Sequence, residues 1–194
     1  GDWSVVNHFA IDGIDIEDWP LQQLRSGIGV ILQDVFLFKG TILENITMKN
    51  QDIPFEQVVQ LAKMLGCYEF IMDLPSGFDY HVFERGASLS VGQKQLISML
   101  RTLVYNPKII IMDEATSSID PESEKIIQHA IEKLIEKRTS IIIAHRLSTI
   151  RHANRIFVVE KGKIIESGTH RELLNIRDGK FRQLYEKQEV SALA

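Results

Sequence analysis

Four polar side chains follow apolar stretches of the sequence and are of the types that handle phosphate groups. Asp113 and Glu114 come directly after one aliphatic run, Gln33 follows a second and His145 follows a third. One carboxylate can hold Mg²⁺, often through water, and a second can orient or deprotonate an attacking water. A histidine at the end of a neighbouring strand can reach a terminal phosphate oxygen. Taken singly, each residue is more simply explained as part of a solvated sheet edge, so the prediction depends on their combination.

A fifth feature, the stretch Ser90-Val91-Gly92-Gln93, opens a segment whose apolar residues recur at helical spacing. Ser90 is predicted to be the N-cap, and Gly92 allows a close approach of the backbone to a ligand. The positive end of the helix dipole would point at these residues, which suits an anion. For this stretch alone, an ordinary capped helix is the simpler explanation.

The elements that must position these residues form a strand–helix–strand unit. The runs Ile109–Met112 and Ile141–Ala144 are rich in β-branched residues and are predicted to be strands buried on both faces. The helix between them is expected to begin near Pro121. Further along, Arg155–Glu160 and Lys163–Ser167 are predicted to pair as a hairpin. The functional residues should therefore lie at the carboxyl ends of parallel strands.

The middle of the chain differs in its pattern. Residues 41–103 show helical periodicity and almost no strand signal, so they are predicted to form a helical lobe inserted into an α/β core of residues 1–40 and 104–194. The predicted helices of this region are Phe55–Leu65, Tyr68–Leu74 and Ser90–Val104. After the hairpin, Thr169 and Glu172 have the spacing of a capping box.

Composition narrows the class of partner. The net charge of −4 gives no basic surface for a nucleic acid, so no nucleic-acid partner is expected. The single cysteine, Cys67, excludes an internal disulfide framework and is typical of a reducing compartment. The apolar runs are too short to span a membrane, and the N-terminus resembles neither a signal nor a transit peptide. A membrane connection is therefore expected only through a partner.

The order of these motifs resembles that of the nucleotide-binding domain of ATP-binding cassette (ABC) transporters. The resemblance covers almost the whole chain and implies a P-loop NTPase, RecA-like fold with a mostly parallel sheet. The matching motifs are the Q-loop Gln33, the signature Leu89–Gln93, the Walker B strand Ile109–Asp113, the catalytic Glu114, the D-loop Ser117–Asp120 and the switch His145.

The resemblance implies an ATPase that works between two nucleotide-binding domains, in a homodimer or a heterodimer. Glu114 would be the general base or would orient the water, Asp113 and Gln33 would serve Mg²⁺, and His145 would contact the γ-phosphate of ATP. Ser90, Val91, Gly92, Gln93 and, in the D-loop, Asp120 would face the ATP held by the partner domain.

Within the family, the segments around Gln33 and Ser90 resemble exporters with a fused transmembrane domain, of the bacterial lipid, drug or peptide type. The transmembrane domains would then dock on Phe36–Phe38 and on the loop Glu84–Gly86, which places the chain at the cytoplasmic face of the inner membrane. Two residues depart from the family pattern: Val91 replaces the usual glycine of the signature, and Leu96 stands where arginine is common.

One element of the family is missing from the sequence. The phosphate-binding loop G-x-x-x-x-G-K-[ST] does not occur, and the two Gly-Lys pairs, Gly162-Lys163 and Gly179-Lys180, lack the rest of the motif. The chain is therefore interpreted as a cassette without its N-terminal part. Because positioning supplies most of phosphoryl-transfer catalysis, we expect this chain alone to bind ATP weakly or not at all and to be inactive. We also expect exposed apolar sheet surface.

Two alternative functions stay open at this level. A non-transport ABC ATPase of DNA repair or translation is disfavoured by the acidic charge, by the short distance between Gln33 and the signature and by the lack of coiled-coil insertions. A catalytically silent module would contribute its Ser90–Gln93 face to the ATP site of another subunit without owning a site.

Overall fold

A computed structural model describes residues 9–83, 88–113, 121–144, 147–151 and 153–192 of the chain. The chain divides into two compact units, Gly1–Ile142 and Ile143–Ala194. Within the described residues, no helix has both the length and the apolar character needed to cross a bilayer. The predicted boundaries of the helical lobe, at residues 41 and 103, do not correspond to this division and stay a prediction.

Short strands alternate with helices along the described residues. In chain order the strands are β1 (Ala10–Ile11), β2 (Ile14–Asp15), β3 (Ile28–Ile31), β4 (Gly40–Thr41), β5 (His81–Val82), β6 (Ile109–Asp113), β7 (Thr139–Ile143), β8 (Ile156–Glu160) and β9 (Lys163–Gly168). The α-helices are α1 (Leu21–Gly27), α2 (Ile42–Thr47), α3 (Phe55–Leu65), α4 (Tyr68–Met72), α5 (Val91–Val104), α6 (Pro121–Ile135), α7 (Leu147–Arg151), α8 (His170–Leu174) and α9 (Lys180–Ala192).

The central sheet has the order β3–β6–β7, and β3 runs parallel to β6. The predicted strand–helix–strand unit is present as β6, α6 and β7, with α6 beginning at Pro121. Strand β7 begins at Thr139, two residues earlier than predicted. The Thr139 amide donates to the Lys108 carbonyl at 3.1 Å, beside the start of β6. Backbone hydrogen bonding thus extends the strand to Thr139 and Ser140, two polar residues that the apolar pattern did not include.

The sheet is covered on one face. Ile110 and Met112 are fully buried in the same core cluster as the apolar side chains of α5 and α6. On the alternate positions, Val30, Ile141 and Ile143 are 51%, 57% and 55% exposed. Successive side chains of a strand point to opposite faces, and among the described residues one set of them packs in the core with α5 and α6. The prediction of burial on both faces is therefore wrong for Ile141–Ala144, whereas the alternate residues of β6, Ile109 and Ile111, are half-buried. Apolar sheet surface is exposed, as we expected.

The middle of the chain is mainly helical. The predicted helices are present as α3, α4 and α5, and the structure adds α2, which begins at a capping box between Thr41 and Glu44. The two-residue strands β4 and β5 pair antiparallel in this region, which the apolar pattern did not indicate because such short strands carry almost no periodicity. The apolar positions that predicted α5 are all buried: Leu96, Ile97, Leu100, Leu103 and Val104.

Helix α5 packs closely on β3 at Gly29. A Cβ atom on Gly29 would lie 2.5 Å from Cγ2 of Thr102 and 2.8 Å from Cγ of Pro107. Contacts of that length are prohibitive, so only glycine lets the helix approach the strand this closely. This contact fixes α5, and with it Ser90 at the helix start, relative to the strand that leads to Gln33.

The second unit has its own small core. The predicted hairpin is present, with β8 and β9 antiparallel and Lys161 and Gly162 in the turn, both at positive φ. Thr169 and Glu172 form the predicted capping box at the start of α8. The buried side chains that hold this unit together are Val158, Leu173, Phe181 and Tyr185.

Candidate functional site

Gln33 and Asp113 leave the sheet at the same edge. In the parallel ladder Ile31 pairs with Met112, so the next residues along both strands extend beyond the same end of the sheet. Gln33 is exposed there, and Asp113, the last residue of β6, is half-buried. The structure thus brings two of the predicted oxygen donors to one edge, as parallel pairing requires.

Four of the other predicted site positions lie outside the described residues. These are Glu114, Asp120, His145 and the loop Glu84–Gly86. Their predicted roles stay predictions.

The first turn of α5 is closed by a reciprocal cap. The Gln93 amide donates to Oγ of Ser90 at 3.2 Å, and the Ser90 amide donates to Oε1 of Gln93 at 3.0 Å. The predicted N-cap is confirmed, and the structure adds Gln93 as its partner. The sequence signal was available, since serine followed three residues later by glutamine is the capping-box spacing.

The cap leaves two backbone donors at the helix start. The first amides of an α-helix have no partner within the helix, and the cap satisfies only that of Gln93, so those of Val91 and Gly92 can serve a ligand. The first turn contains no acidic side chain that would repel an anion. The arrangement can therefore hold a phosphate oxygen by backbone donors and the helix dipole.

The two departures from the family pattern are accommodated differently. Val91 is 54% exposed, so its branched side chain reaches into solvent at the helix start. Leu96 is 2% exposed and belongs to the main core cluster. An arginine at position 96 would have to leave that core, whereas leucine fits it.

The segment predicted to receive the transmembrane domains is only partly accessible. Phe36 is 61% exposed, but Leu37 is fully buried. Phe38 is half-buried, with the Lys49 ammonium 5.7 Å from the centre of its ring. A docking partner could therefore contact Phe36 and the accessible part of Phe38, while the buried Leu37 anchors the segment in the core.

Sequence reasoning missed Arg101, which holds this segment. Its guanidinium donates to the carbonyl oxygens of Asn45 at 2.7 Å and of Phe36 at 3.2 Å. Burial lowers the pKa of Arg101, while the nearby Tyr105 opposes that shift. The sequence offered one signal for this role: Arg101 lies among the apolar residues of a predicted helix. A charged group in such a position needs hydrogen-bond acceptors close to the core.

The oxygen donors at the sheet edge suit magnesium better than a transition metal. Among the described residues, no group of three His, Cys, Asp or Glu side chains is arranged to hold a metal ion. Mg²⁺ is commonly bound by only one or two protein oxygens, with water and phosphate completing its shell. Asp113 and Gln33, which offer a carboxylate and an amide oxygen, fit that requirement.

A surface cavity of about 1260 Å³ lies away from this edge. Its lining includes Ile28, Ile109 and Thr139, the first residues of the three strands of the central sheet. The candidate site instead lies where β3 and β6 end, so the cavity is not part of it.

Comparison with known proteins adds a family context. A family model described as ABC transporter matches residues 6–117. The chain is 47% identical over 181 residues to YgaD of Bacillus subtilis, named as a multidrug export ATP-binding/permease protein. It is 49% identical over 180 residues to a protein of Staphylococcus aureus with the same descriptive name. Both alignments cover 93% of this chain but 31% of the relative.

A solved structure gives the same picture. The chain superposes on a bacterial Atm1-family ABC exporter with ATP bound, with a TM-score of 0.83 and 39% identity. The match covers 93% of this chain and 32% of that one. The chain thus spans about a third of the length of the proteins it resembles.

Proposed function

Since this chain belongs to the ABC transporter family, we propose that it is the ATP-hydrolysing part of an exporter and couples hydrolysis to transport across a membrane. The family and the exporter-type ATPase fold predicted from sequence are confirmed by the matches to export proteins. The activity, substrates and partners of the whole transporter belong to the proposal. The names of the relatives describe multidrug export, which favours a drug-like substrate over a lipid or a peptide.

The observation that carries the proposal is the start of α5. Its reciprocal cap between Ser90 and Gln93 fixes the first turn, and the amides of Val91 and Gly92 are left to bind an anion. In the proposed assembly that anion is the γ-phosphate of an ATP molecule held by a second nucleotide-binding domain. Asp120 would approach the same nucleotide.

The edge of the central sheet would act on the chain's own side of the assembly. Asp113 and Gln33 would hold Mg²⁺, which when bound neutralises charge on the phosphates. Glu114 would orient or deprotonate the attacking water, and His145 would contact the γ-phosphate. The register that places Gln33 and Asp113 at one edge supports the roles of these two residues.

The sequence lacks the loop that would cradle the phosphates. Without its backbone donors and lysine, the chain's own residues can act only on a nucleotide that other groups hold in place. The chain by itself is therefore proposed to be inactive, and the second domain and the transmembrane domains are proposed as its partners. Phe36 and Phe38, with Glu84–Gly86, would receive the latter at the cytoplasmic face of the membrane.

Hydrolysis by the proposed transporter, prepared with wild-type chain and with Glu114→Gln, tests this function. We expect Mg-ATP hydrolysis by the wild type and a loss on the order of 100-fold or more in the variant, because a general base contributes roughly that much. Glu56→Gln, the same change at an exposed position of α3, is the control. Equal rates for wild type and Glu114→Gln would contradict the assignment.

A second candidate function uses the same capped start of α5. The chain would be a silent module that lends its Ser90–Gln93 face to the ATP of an intact cassette. This candidate is tested by mixing the chain with an intact cassette and measuring the ATP hydrolysis rate of that cassette. An unchanged rate at saturating chain would eliminate the silent module.

A further inference from the structure

Arg101 joins two parts of the first unit that are far apart in the sequence. It lies on α5, the helix that begins with the signature, and it donates from Nε to the Asn45 carbonyl at 2.7 Å. Its Nη1 donates to the Phe36 carbonyl at 3.2 Å, and its Nη2 to Oδ1 of Asn45 at 3.4 Å. One guanidinium therefore binds both the exposed Phe36 segment and helix α2.

Asn45 extends the connection to the rest of that segment. It is fully buried, and its Nδ2 donates to the carbonyls of Phe38 at 2.9 Å and Thr41 at 3.0 Å. Its Oδ1 accepts from the Phe38 amide at 3.0 Å. Every polar atom of the Asn45 side chain is thus used, and this side chain ties the backbone of Phe38 and Thr41 to α2.

A second contact lies one turn beyond Arg101, at Tyr105, the residue that directly follows α5. The Tyr105 hydroxyl donates to the Thr47 carbonyl at 2.6 Å, so the end of α2 is held to α5 at two points. Helix α5 is a continuous element of 14 residues that begins at the Ser90 cap. A displacement of the segment around Phe36 must therefore move α5 as well, or break these hydrogen bonds.

We infer that Arg101 and Asn45 form a clamp that makes residues 36–45 and α5 a single mechanical unit. The inference rests on the proposed function, because there a transmembrane domain docked at Phe36 would position Ser90 through the clamp. Arg101 is a positioning residue in this scheme, since it touches backbone carbonyls of the docking segment and acts on the nucleotide only through α5.

The chemistry of arginine suits this position. The planar guanidinium supplies several donors in a fixed geometry and keeps its charge when partly buried. The single ammonium group of a lysine could satisfy only part of the same acceptors. The three acceptors it reaches, on Phe36 and Asn45, compensate the cost of removing its charge from water. A lysine could reach one of those acceptors, and a methionine none.

The chain offers a matched control in Arg138. Its guanidinium also donates to backbone carbonyls, those of Pro107 at 3.1 Å, Leu134 at 3.0 Å and Glu136 at 3.4 Å, and to Oδ1 of Asn106 at 2.9 Å. Arg138 thus has the same kind of partners as Arg101, but it joins the end of α6 to the start of β6. Arg138→Met should cost comparable stability without releasing the Phe36 segment.

The first measurement is amide hydrogen exchange in the full chain for wild type, Arg101→Met, Arg101→Lys and Arg138→Met. If the clamp holds the segment, Arg101→Met accelerates exchange of the Phe38 amide by about tenfold or more, since a hydrogen-bond network to a charged group is lost. Arg101→Lys should give an intermediate rate, and Arg138→Met the wild-type rate. An unchanged Phe38 amide in Arg101→Met would overturn the clamp.

The second measurement is ATP hydrolysis by the proposed transporter carrying the same variants. Arg101→Met should lower kcat by about tenfold or more at unchanged KM for ATP, because small misplacements of positioned groups are costly while the nucleotide itself is untouched. Arg101→Lys should recover part of the rate, and Arg138→Met should retain it. Equal kcat values for Arg101→Met and Arg138→Met would overturn the coupling role. A wild-type transporter that hydrolyses no ATP would refute the proposed function, and the exchange rates would then decide the clamp alone.

Discussion

Ser90 and Gln93 hydrogen-bond each other twice across the first turn of α5, each through its backbone amide and the other's side chain. The two bonds fix the start of the helix, and the intervening amides of Val91 and Gly92 have no partner within the helix. The cap is thus both a stability element and the geometry on which the proposed phosphate contact depends. These two roles can be separated by comparison with a cap of the same design elsewhere in the chain.

Ser90→Ala should lower both the stability of the chain and the hydrolysis rate of the proposed transporter. Loss of a serine cap costs about 1 kcal/mol of unfolding free energy, and the phosphate-binding turn loses its fixed geometry. Thr169→Ala is the control, because Thr169 forms the same reciprocal cap with Glu172 at the start of α8. Denaturant unfolding and ATPase rates measure the two effects. Equal losses of activity in both variants would show that Ser90 acts through stability alone.

Gly29→Ala should destabilise the first unit. The added Cβ would lie 2.5 Å from Thr102 and 2.8 Å from Pro107, so α5 must move away from β3 at a cost of about 1–3 kcal/mol. Gly27→Ala is the matched control, since a Cβ there meets no atom within 4 Å. The measurement is the free energy of unfolding by denaturant titration. A variant at position 29 as stable as the one at position 27 would contradict the packing argument.

Cys67 should be unreactive in the folded chain. It is fully buried, and burial raises the pKa of its thiol from 9.0 to about 12, although a backbone hydrogen bond opposes the shift. A thiol-specific reagent such as Ellman's reagent at pH 8 should therefore react only as the chain unfolds, because the thiolate is the reactive form. The labelling rate measured at increasing concentrations of guanidinium chloride checks this. Rapid labelling without denaturant would contradict it.

The same thiol makes a predictable contribution to pH dependence. Because its pKa is raised on folding, the stabilising effect of keeping it neutral is fully present below pH 9 and is lost as pH rises toward 12. The difference in unfolding free energy between wild type and Cys67→Ala should therefore shrink between pH 8 and 11. Since lysine and tyrosine titrate in both proteins, the comparison isolates the cysteine. A difference independent of pH would count against the shift.

Sequence predicted best the elements whose signal is local. Helix α3 was predicted at its observed bounds, Phe55–Leu65. Its apolar spacing and the proline and glycine that flank it are all local signals, which depend on no distant contact. The cap at Ser90 follows from spacing as well. The site edge was predictable to the extent that Gln33 and Asp113 both follow apolar strands, and parallel pairing places such ends together.

What sequence did not predict depends on tertiary contacts. Strand β7 begins at Thr139 because of a hydrogen bond to Lys108, which hydropathy does not register. The exposure of Ile141 depends on which face of the sheet the helices cover, and an apolar run looks the same in either case. The three acceptors of Arg101 lie 56 to 65 residues away along the chain, so no local pattern could have revealed them.

Ile141→Thr should reduce aggregation of the isolated chain without a large loss of stability. Ile141 is 57% exposed on the uncovered face of the sheet, where apolar surface favours association, and threonine keeps a β-branched side chain suited to a strand. Ile142→Thr is the control, because Ile142 packs against the main core and its loss should cost about 1–3 kcal/mol. Static light scattering against concentration and denaturant unfolding measure the two properties. If Ile141→Thr aggregates at the same concentration as wild type, the uncovered face is not the surface through which the chain associates.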